Sequence, residues 1–300
     1  MPRMTDALLT AIRRYAEANA DAGGIARTPI PGMTVVRATR VGELQYAIQR
    51  PLICLVAQGT KQVTMGSSSL TFRGGDLMLI TADVPTISQI SRATSMAPYL
   101  SFALHLDPAL IADLSAEMKA APIEAGAALR LQPTDAEVAD TALRLVRLLD
   151  RPASIPVLQA QLVREMHHWL LAGRHGPAIR HLGFPDSHAQ RIARAVDVIR
   201  SDFAATLPVE RLAAIAGMSQ STFHLHFRNV TSLSPLQFQK QLRLIEARRL
   251  MLAEGATPGN AAYAVGYESV PQFTREYRRL FGLPPVRETE EARRRTQIAA

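Results

Sequence analysis

The chain has 300 residues, 47% of them hydrophobic, and a formal net charge of +8; this supports two globular domains with their own cores and excludes a largely disordered chain. A single cysteine, Cys54, excludes a disulfide framework within one chain and any zinc site built from several cysteines. No apolar run approaches the roughly 18 residues of a membrane span, and Met1 to Ala22 lacks an apolar signal core, so a soluble, cytoplasmic protein with no membrane partner is expected.

Thr5 to Ala20 has helical periodicity, with Leu8, Leu9, Ile12 and Tyr15 on one side and Gly23-Gly24 to end it. The plain reading is an end-cap packed on the next domain; the sharper one is a regulatory arm. From Thr28 to Asp107 the chain turns to short strand-like runs: Leu52–Val56, Lys61–Met65, Leu70–Phe72, Leu77–Ile80 and Tyr99–Leu104. Gly59, Gly66-Ser67-Ser68-Ser69 and Gly74-Gly75-Asp76 separate them as turn signals, which predicts a small antiparallel barrel or sandwich able to hold a ligand. Cys54, inside an apolar strand, reads as a buried small hydrophobe. A thiol sensor would need exposure and activation, for which only Arg50 and Lys61 stand nearby in sequence. His105 is the one histidine of this stretch, too few for a cupin metal centre.

Within it, Pro51-Leu52-Ile53-Cys54-Leu55-Val56-x-Gln58-Gly59-x-Lys61, Ala97-Pro98-Tyr99-Leu100 and Leu106-Asp107-Pro108 resemble the N-terminal domain of one branch of the AraC-type regulators. The resemblance covers roughly residues 25–175 and implies a cupin-like β-barrel followed by helices. Ile53, Val63, Met65, Phe72, Met78 and Phe102 are candidate lining residues, equally well explained as core, so no effector-binding residue is assigned.

Asp107-Pro108 should cap a helix to about Met118. Helices are also expected over Thr134–Leu149, with Val138, Leu145 and Leu149 as its stripe, and Ile155–Leu171, with Leu158, Leu162, Met166 and Trp169. Such a hairpin packs on the barrel or pairs with a second subunit; the resemblance favours a homodimer. Gly173 to Ser187, rich in Gly and Pro, reads as an interdomain linker. The expected division is a sensing and dimerisation domain over 1–175, a linker over 176–188, a DNA-binding domain over 189–287 and a charged tail over 288–300.

Ala189 to Asp202 reads as the first helix of that last domain, built on Ile192, Val196 and Ile199. From 208 to 285 a pattern then occurs twice. Leu212–Gly217 followed by Ser219–Arg228 corresponds to Ala261–Gly266 followed by Ser269–Arg278, with Phe223 matching Phe273, Phe227 matching Tyr277 and Pro235 matching Pro285. Each copy predicts helix-turn-helix. Gly217 and Gly266 allow a positive φ at the turn, Ser219 and Ser269 are N-caps, Pro271 suits the first turn of its helix, and Ala213 and Ala262 are small at a close crossing. The aromatic pairs are four apart and face inward. Pro235 to Glu254 is one uninterrupted helical run in which Leu242, Ile245 and Leu250 are apolar and Lys240, Arg243, Arg248 and Arg249 basic; about 20 residues span roughly 30 Å, close to the ~34 Å between successive major grooves on one face of DNA.

The last hundred residues resemble the DNA-binding domain of the AraC/XylS family through Arg243-Leu244-x-x-Ala247-Arg248, Gly266-Tyr267-Glu268-Ser269, Phe273-x-Arg275-x-Tyr277 and Phe281-Gly282-x-Pro284-Pro285. Outward positions are then base-reading candidates: Gln220, Ser221, Thr222, His224 and Leu225 in the first unit, Gln272, Thr274 and Arg275 in the second. Arg275 is the foremost, because a guanidinium grips guanine O6 and N7 together. Leu225 stands where the family commonly carries Arg, so the first helix is expected to read through His224 and contact with thymine methyls. Arg228, Lys240, Arg243 and Arg278 are phosphate candidates; the plainer reading of each is a solvated charge, and Arg243 has Glu246 or Glu276 as an alternative partner. The Arg293-Arg294-Arg295 tail is read as solvated, with phosphate contact as the lesser alternative.

His224 and His226 are two apart on a helix and point about 200° from each other, so they cannot share an ion. His167 and His168 diverge likewise. No Ser/His/Asp order, phosphate loop or paired carboxylates stand out, so no enzyme, cofactor or metal is expected. The reading is α+β: a cupin-like β-barrel with a helical hairpin, then an all-α domain of two helix-turn-helix units joined by a long helix. Its expected role is sequence-specific transcription regulation, with double-stranded DNA, a small-molecule effector and RNA polymerase as partners. The alternatives are a ligand-independent DNA-binding protein whose barrel only dimerises, and a metal- or thiol-dependent barrel enzyme fused to a DNA-binding domain.

Overall fold

The turn-punctuated apolar runs of the first half fold as strands in two sheets. The computed structural model describes residues 6–66, 68–119, 128–184 and 187–291, and the chain divides into two units, Met1–Gln190 and Arg191–Ala300. In the first, β1 (Ile25–Arg27), β2 (Met33–Ala38), β4 (Leu52–Gln58), β7 (Asp76–Ile80), β9 (Tyr99–His105) and β10 (Leu129–Pro133) form one antiparallel sheet ordered β1-β2-β9-β4-β7-β10. The other is ordered β3-β8-β5-β6, from β3 (Gln45–Gln49), β5 (Thr60–Met65), β6 (Ser68–Arg73) and β8 (Val84–Arg92). The expected barrel is thus a two-sheet sandwich.

Strand alternation gives the larger sheet two different faces. Ile53, Leu55, Leu77, Leu79, Leu100, Phe102 and Leu104 join helical residues in one core. Cys54, Val56, Met78, Ile80, Tyr99 and Ser101, one position out of step, are buried on the opposite face, toward Val63, Met65 and Phe72 of the smaller sheet. Ile53 and Phe102 are therefore not lining residues of the sandwich interior, because their strand parity turns them to the helices. Cys54 is buried, in accord with the plain reading.

The helical layer is α1 (Asp6–Asn19), α2 (Pro108–Glu117), α3 (Ala136–Leu148) and α4 (Ile155–Ala172). Leu8 and Ile12 of α1 lie fully inside the core, as an end-cap requires. Asp107 caps α2, its carboxylate accepting from the N–H of Ala109 and Leu110 at 2.9 and 3.3 Å. In the α3–α4 hairpin Val138, Leu145, Leu149 and Met166 are buried, but Leu158 is 45% exposed. Its place in the expected stripe is taken by Leu170 and Leu171, and by His167, which accepts from the Asp107 N–H through Nε2 and donates from Nδ1 to the Val163 carbonyl.

The Gly- and Pro-rich segment is folded, against the linker expectation. α5 (Gly176–Ile179) and a 3-10 turn (Arg180–Leu182) bury His175, Ala178, Ile179, His181 and Leu182. Gly176 is there for closeness: a Cβ would lie 2.1 Å from the Leu171 carbonyl oxygen. Glycine composition alone cannot distinguish such tight packing from flexibility. Pro185 and Asp186 lie outside the described residues.

The second unit is helical. After α6 (His188–Ser201) come α7 (Val209–Ile215), α8 (Gln220–Thr231), α9 (Pro235–Ala253), α10 (Pro258–Ala264), α11 (Val270–Phe281) and α12 over 285–291. Ile192, Val196 and Ile199 of α6 are buried as expected. On α9 Pro235, Phe238, Gln239, Leu244, Ala247 and Met251 are buried, whereas the apolar Leu242, Ile245 and Leu250 are half-buried. α9 packs on α10 and α11 along that inner stripe. The Arg293-Arg294-Arg295 tail lies outside the described residues.

Candidate nucleic-acid interface

Two frames of like geometry carry the outward side chains. Gly217 ends the α7 turn at φ +60° and Gly266 the α10 turn at φ +84°. Ser219 caps α8 by accepting from the Thr222 N–H at 3.3 Å, and Ser269 caps α11 by accepting from the Gln272 N–H at 3.4 Å. The Phe223/Phe227 and Phe273/Tyr277 rings are buried, each pair with centroids 5.4 Å apart. With those residues fixed inward, the positions between them turn out.

On α8, Gln220, Ser221, Thr222, His224 and Leu225 are all exposed, Leu225 by 59%. Thr222 Oγ1 accepts from Ser219 Oγ at 2.9 Å and so belongs partly to the cap. On α11, Arg275 is exposed, while Gln272 and Thr274 are half-exposed. Gln272 donates through Nε2 to Glu276 Oε1 at 3.3 Å.

The phosphate candidates divide into two kinds. Arg228 and Arg278 are exposed and have no ion pair among the described residues. Arg243 is different: its guanidinium donates to the carbonyls of Phe203 (2.7 Å), Gly266 (2.9 Å), Ala204 (3.1 Å) and Ala205 (2.9 Å). Burial draws its pKa below the ordinary arginine value. It clamps α9 to the 203–205 loop and the α10 exit, and neither Glu246 nor Glu276 is its hydrogen-bond partner. Lys240 is also engaged, pairing with Glu276 at 2.7 Å. Both of these phosphate candidates are engaged by tertiary neighbours that lie 23 to 40 residues away in sequence.

A counterpart to the Arg243 clamp exists in the first unit, where Arg191 of α6 donates to the Ala216 carbonyl at 2.7 Å. In both units a guanidinium from the preceding helix meets the carbonyl end of the turn. Gln239, one turn before Arg243, adds hydrogen bonds to the Phe203 and Ala205 carbonyls. Sequence reasoning missed Arg191 and Gln239, and it named Glu276 only as a partner for Arg243, not for Lys240, Tyr267 and Gln272. The available signal was spacing: Gln239 to Arg243 and Gln272 to Glu276 are i,i+4 pairs.

Residues 29–178 match the family model of the AraC-type transcriptional regulator N-terminus, and residues 212–290 that of a helix-turn-helix domain. The chain is 36% identical over 85 residues to the RCS-specific HTH-type transcriptional activator RclR of Escherichia coli, covering 28% of this chain and 30% of that protein. It is 26% identical over 95 residues to the HTH-type transcriptional regulator GbdR of Pseudomonas aeruginosa, 32% of this chain and 26% of that protein. These matches thus span only about a quarter to a third of the regulators' length. ToxT from Vibrio cholerae shares the fold over most of the chain. Its apo crystal structure has a TM-score of 0.59 at 10% identity, covering 88% of this chain and 98% of that one; one bound to an unsaturated fatty acid has 0.55 at 12%, covering 86% and 94%.

Proposed function

Because the chain belongs to the AraC-type transcriptional regulators, with a helix-turn-helix DNA-binding domain, we propose that it reads one bipartite DNA sequence through α8 and α11 and is controlled by a small-molecule effector. The observation that carries this is the pair of like frames, each presenting an outward set in its second helix, on either side of the 19-residue α9. That helix is about 28 Å long, near the separation of successive major grooves. Arg275 addresses guanine in one groove; His224 and Leu225 address the other, through a ring nitrogen and apolar contact with thymine. Arg228 and Arg278 hold phosphates.

An effector acts only if it binds one arrangement of the protein better than another. The sandwich interior is its proposed place, since the Tyr99 hydroxyl is fully buried there, a polar group beside Cys54 and Ser101 on the inner face of the larger sheet. ToxT, of the same fold, has been crystallised with an unsaturated fatty acid. A homodimer through the α3–α4 hairpin, where Val157 is 65% exposed, and contact with RNA polymerase complete the proposal.

The test is selection and footprinting of genomic DNA fragments by the full chain at physiological salt. Protection of about two helical turns per chain, with a base preference lost in Arg275→Ala, is the expected result. Binding that ignores sequence and vanishes with salt would sink it.

A further inference from the structure

We propose that Glu276 is a positioning residue that sets the Gln272 amide to read an adenine beside the base read by Arg275. This rests on α11 being a base-reading helix, and it adds which base is read and what holds the reader. The Glu276 side chain, 14% exposed, accepts from Lys240 Nζ at 2.7 Å, Tyr267 Oη at 2.8 Å and Gln272 Nε2 at 3.3 Å. Burial alone would raise its pKa; the three donors outweigh burial and hold it below the ordinary glutamate value, so it is an anion at neutral pH.

An ionised carboxylate has lone pairs and no proton to give, so only the NH2 edge of the Gln272 amide can face it. The flip of that amide, free in an isolated side chain, is thereby chosen. One N–H goes to Glu276, leaving the amide oxygen and the second N–H side by side. That acceptor and donor match the major-groove edge of adenine, where N6–H donates and N7 accepts. Gln272 and Arg275 are three apart on one helix face, so they address neighbouring base pairs. In α8 the counterparts of Gln272 and Glu276 are Thr222 and His226; Thr222 turns to Ser219 instead.

The experiment is selection from random DNA at one salt concentration, using the full chain and its Glu276→Gln, Gln272→Ala and doubly substituted forms. The wild type is expected to enrich adenine next to the guanine whose enrichment disappears in Arg275→Ala. Glu276→Gln should lower the adenine enrichment about tenfold, leave the guanine untouched, and have no further effect once Gln272 is Ala. An equal fall at every position, or an effect that persists in the Gln272→Ala background, overturns the proposal. Should Glu276→Gln fail to fold, Gln272→Ala alone decides: it must abolish the adenine preference without moving the unfolding midpoint, and retention of that preference is fatal. A wild type that enriches no base at all defeats the base-reading assignment itself; guanine enriched without adenine defeats only this inference.

Discussion

At matching places in the two helix-turn-helix units the chemistry diverges. Phe227 packs edge-on against Phe238 of α9, with centroids 5.7 Å apart, whereas Tyr277 donates to Glu288 of α12 at 2.6 Å, and Glu288 pairs with Arg248 at 2.7 Å. Leu225 faces out where Arg275 does in the second unit, and Ser232 takes the left-handed cap that Gly282 takes there, at φ +64° and +83°. One backbone frame therefore tolerates an aromatic seam or a hydrogen-bonded ion pair behind it. What the two copies share is the inward ring positions, the serine caps and the glycine turns.

The sharpest way to break the likeness is at those turns. A Cβ on Gly266 would lie 2.0 Å from the Ala204 carbonyl oxygen, while one on Gly217 meets only the end of the Arg191 side chain at 2.9 Å. Gly266→Ala is expected to lower stability by about 3 kcal/mol or more and Gly217→Ala by about 1 kcal/mol, measured by urea unfolding. Equal losses would mean that backbone strain, not the close approach, sets the cost.

The division among the cations comes next. Arg243→Met should destabilise by about 3 kcal/mol, since several carbonyls lose their donor, yet leave the salt dependence of DNA binding in place. Arg228→Ala and Arg278→Ala should each reduce that log-log slope by about 0.9 with the unfolding midpoint unmoved. A reduced slope in Arg243→Met would return that residue to the phosphate contacts.

The units should also part in acid. Glu276 has its pKa depressed in the fold; its stabilisation is complete above the unfolded value and is lost as pH falls through the lower, folded one. The first unit buries no carboxylate among the described residues, so below about pH 4.5 the NMR signals of α11 should broaden or shift before those of α8. Simultaneous loss would show that the two units unfold as one. The smallest effect is at Ser232, where Ser232→Gly should add about 0.5–1 kcal/mol by relieving the left-handed strain; the matching Gly282→Ser should remove a similar amount.

Much of this was legible in the chain. Gly217, Ser219, Phe223 and Phe227, repeated as Gly266, Ser269, Phe273 and Tyr277, specify frames whose causes are local: a positive φ, a cap, a four-residue period. The strands Leu52–Gln58 and Tyr99–His105 could be read from their apolar runs. β8 could not, because Val84–Arg92 mixes Thr, Ser and Gln whose burial depends on the opposing sheet; nor could β10, which pairs with β7 across some fifty residues of chain.

The sequence by itself determined the doubled recognition frame, the capped helices and the positions that face outward, because these follow from interactions within a few residues. Only the tertiary structure decided which charges are available to a ligand. Arg243 and Arg278 look alike in sequence, but one meets the carbonyls of Phe203, Ala204, Ala205 and Gly266 and the other meets solvent. In the same way it turned the expected linker into packed structure and decided that the Ile53 face of the sheet, not the Cys54 face, meets the helices. A partner distant along the chain leaves no mark on local periodicity, and it is such partners that decide whether a polar group is occupied or free.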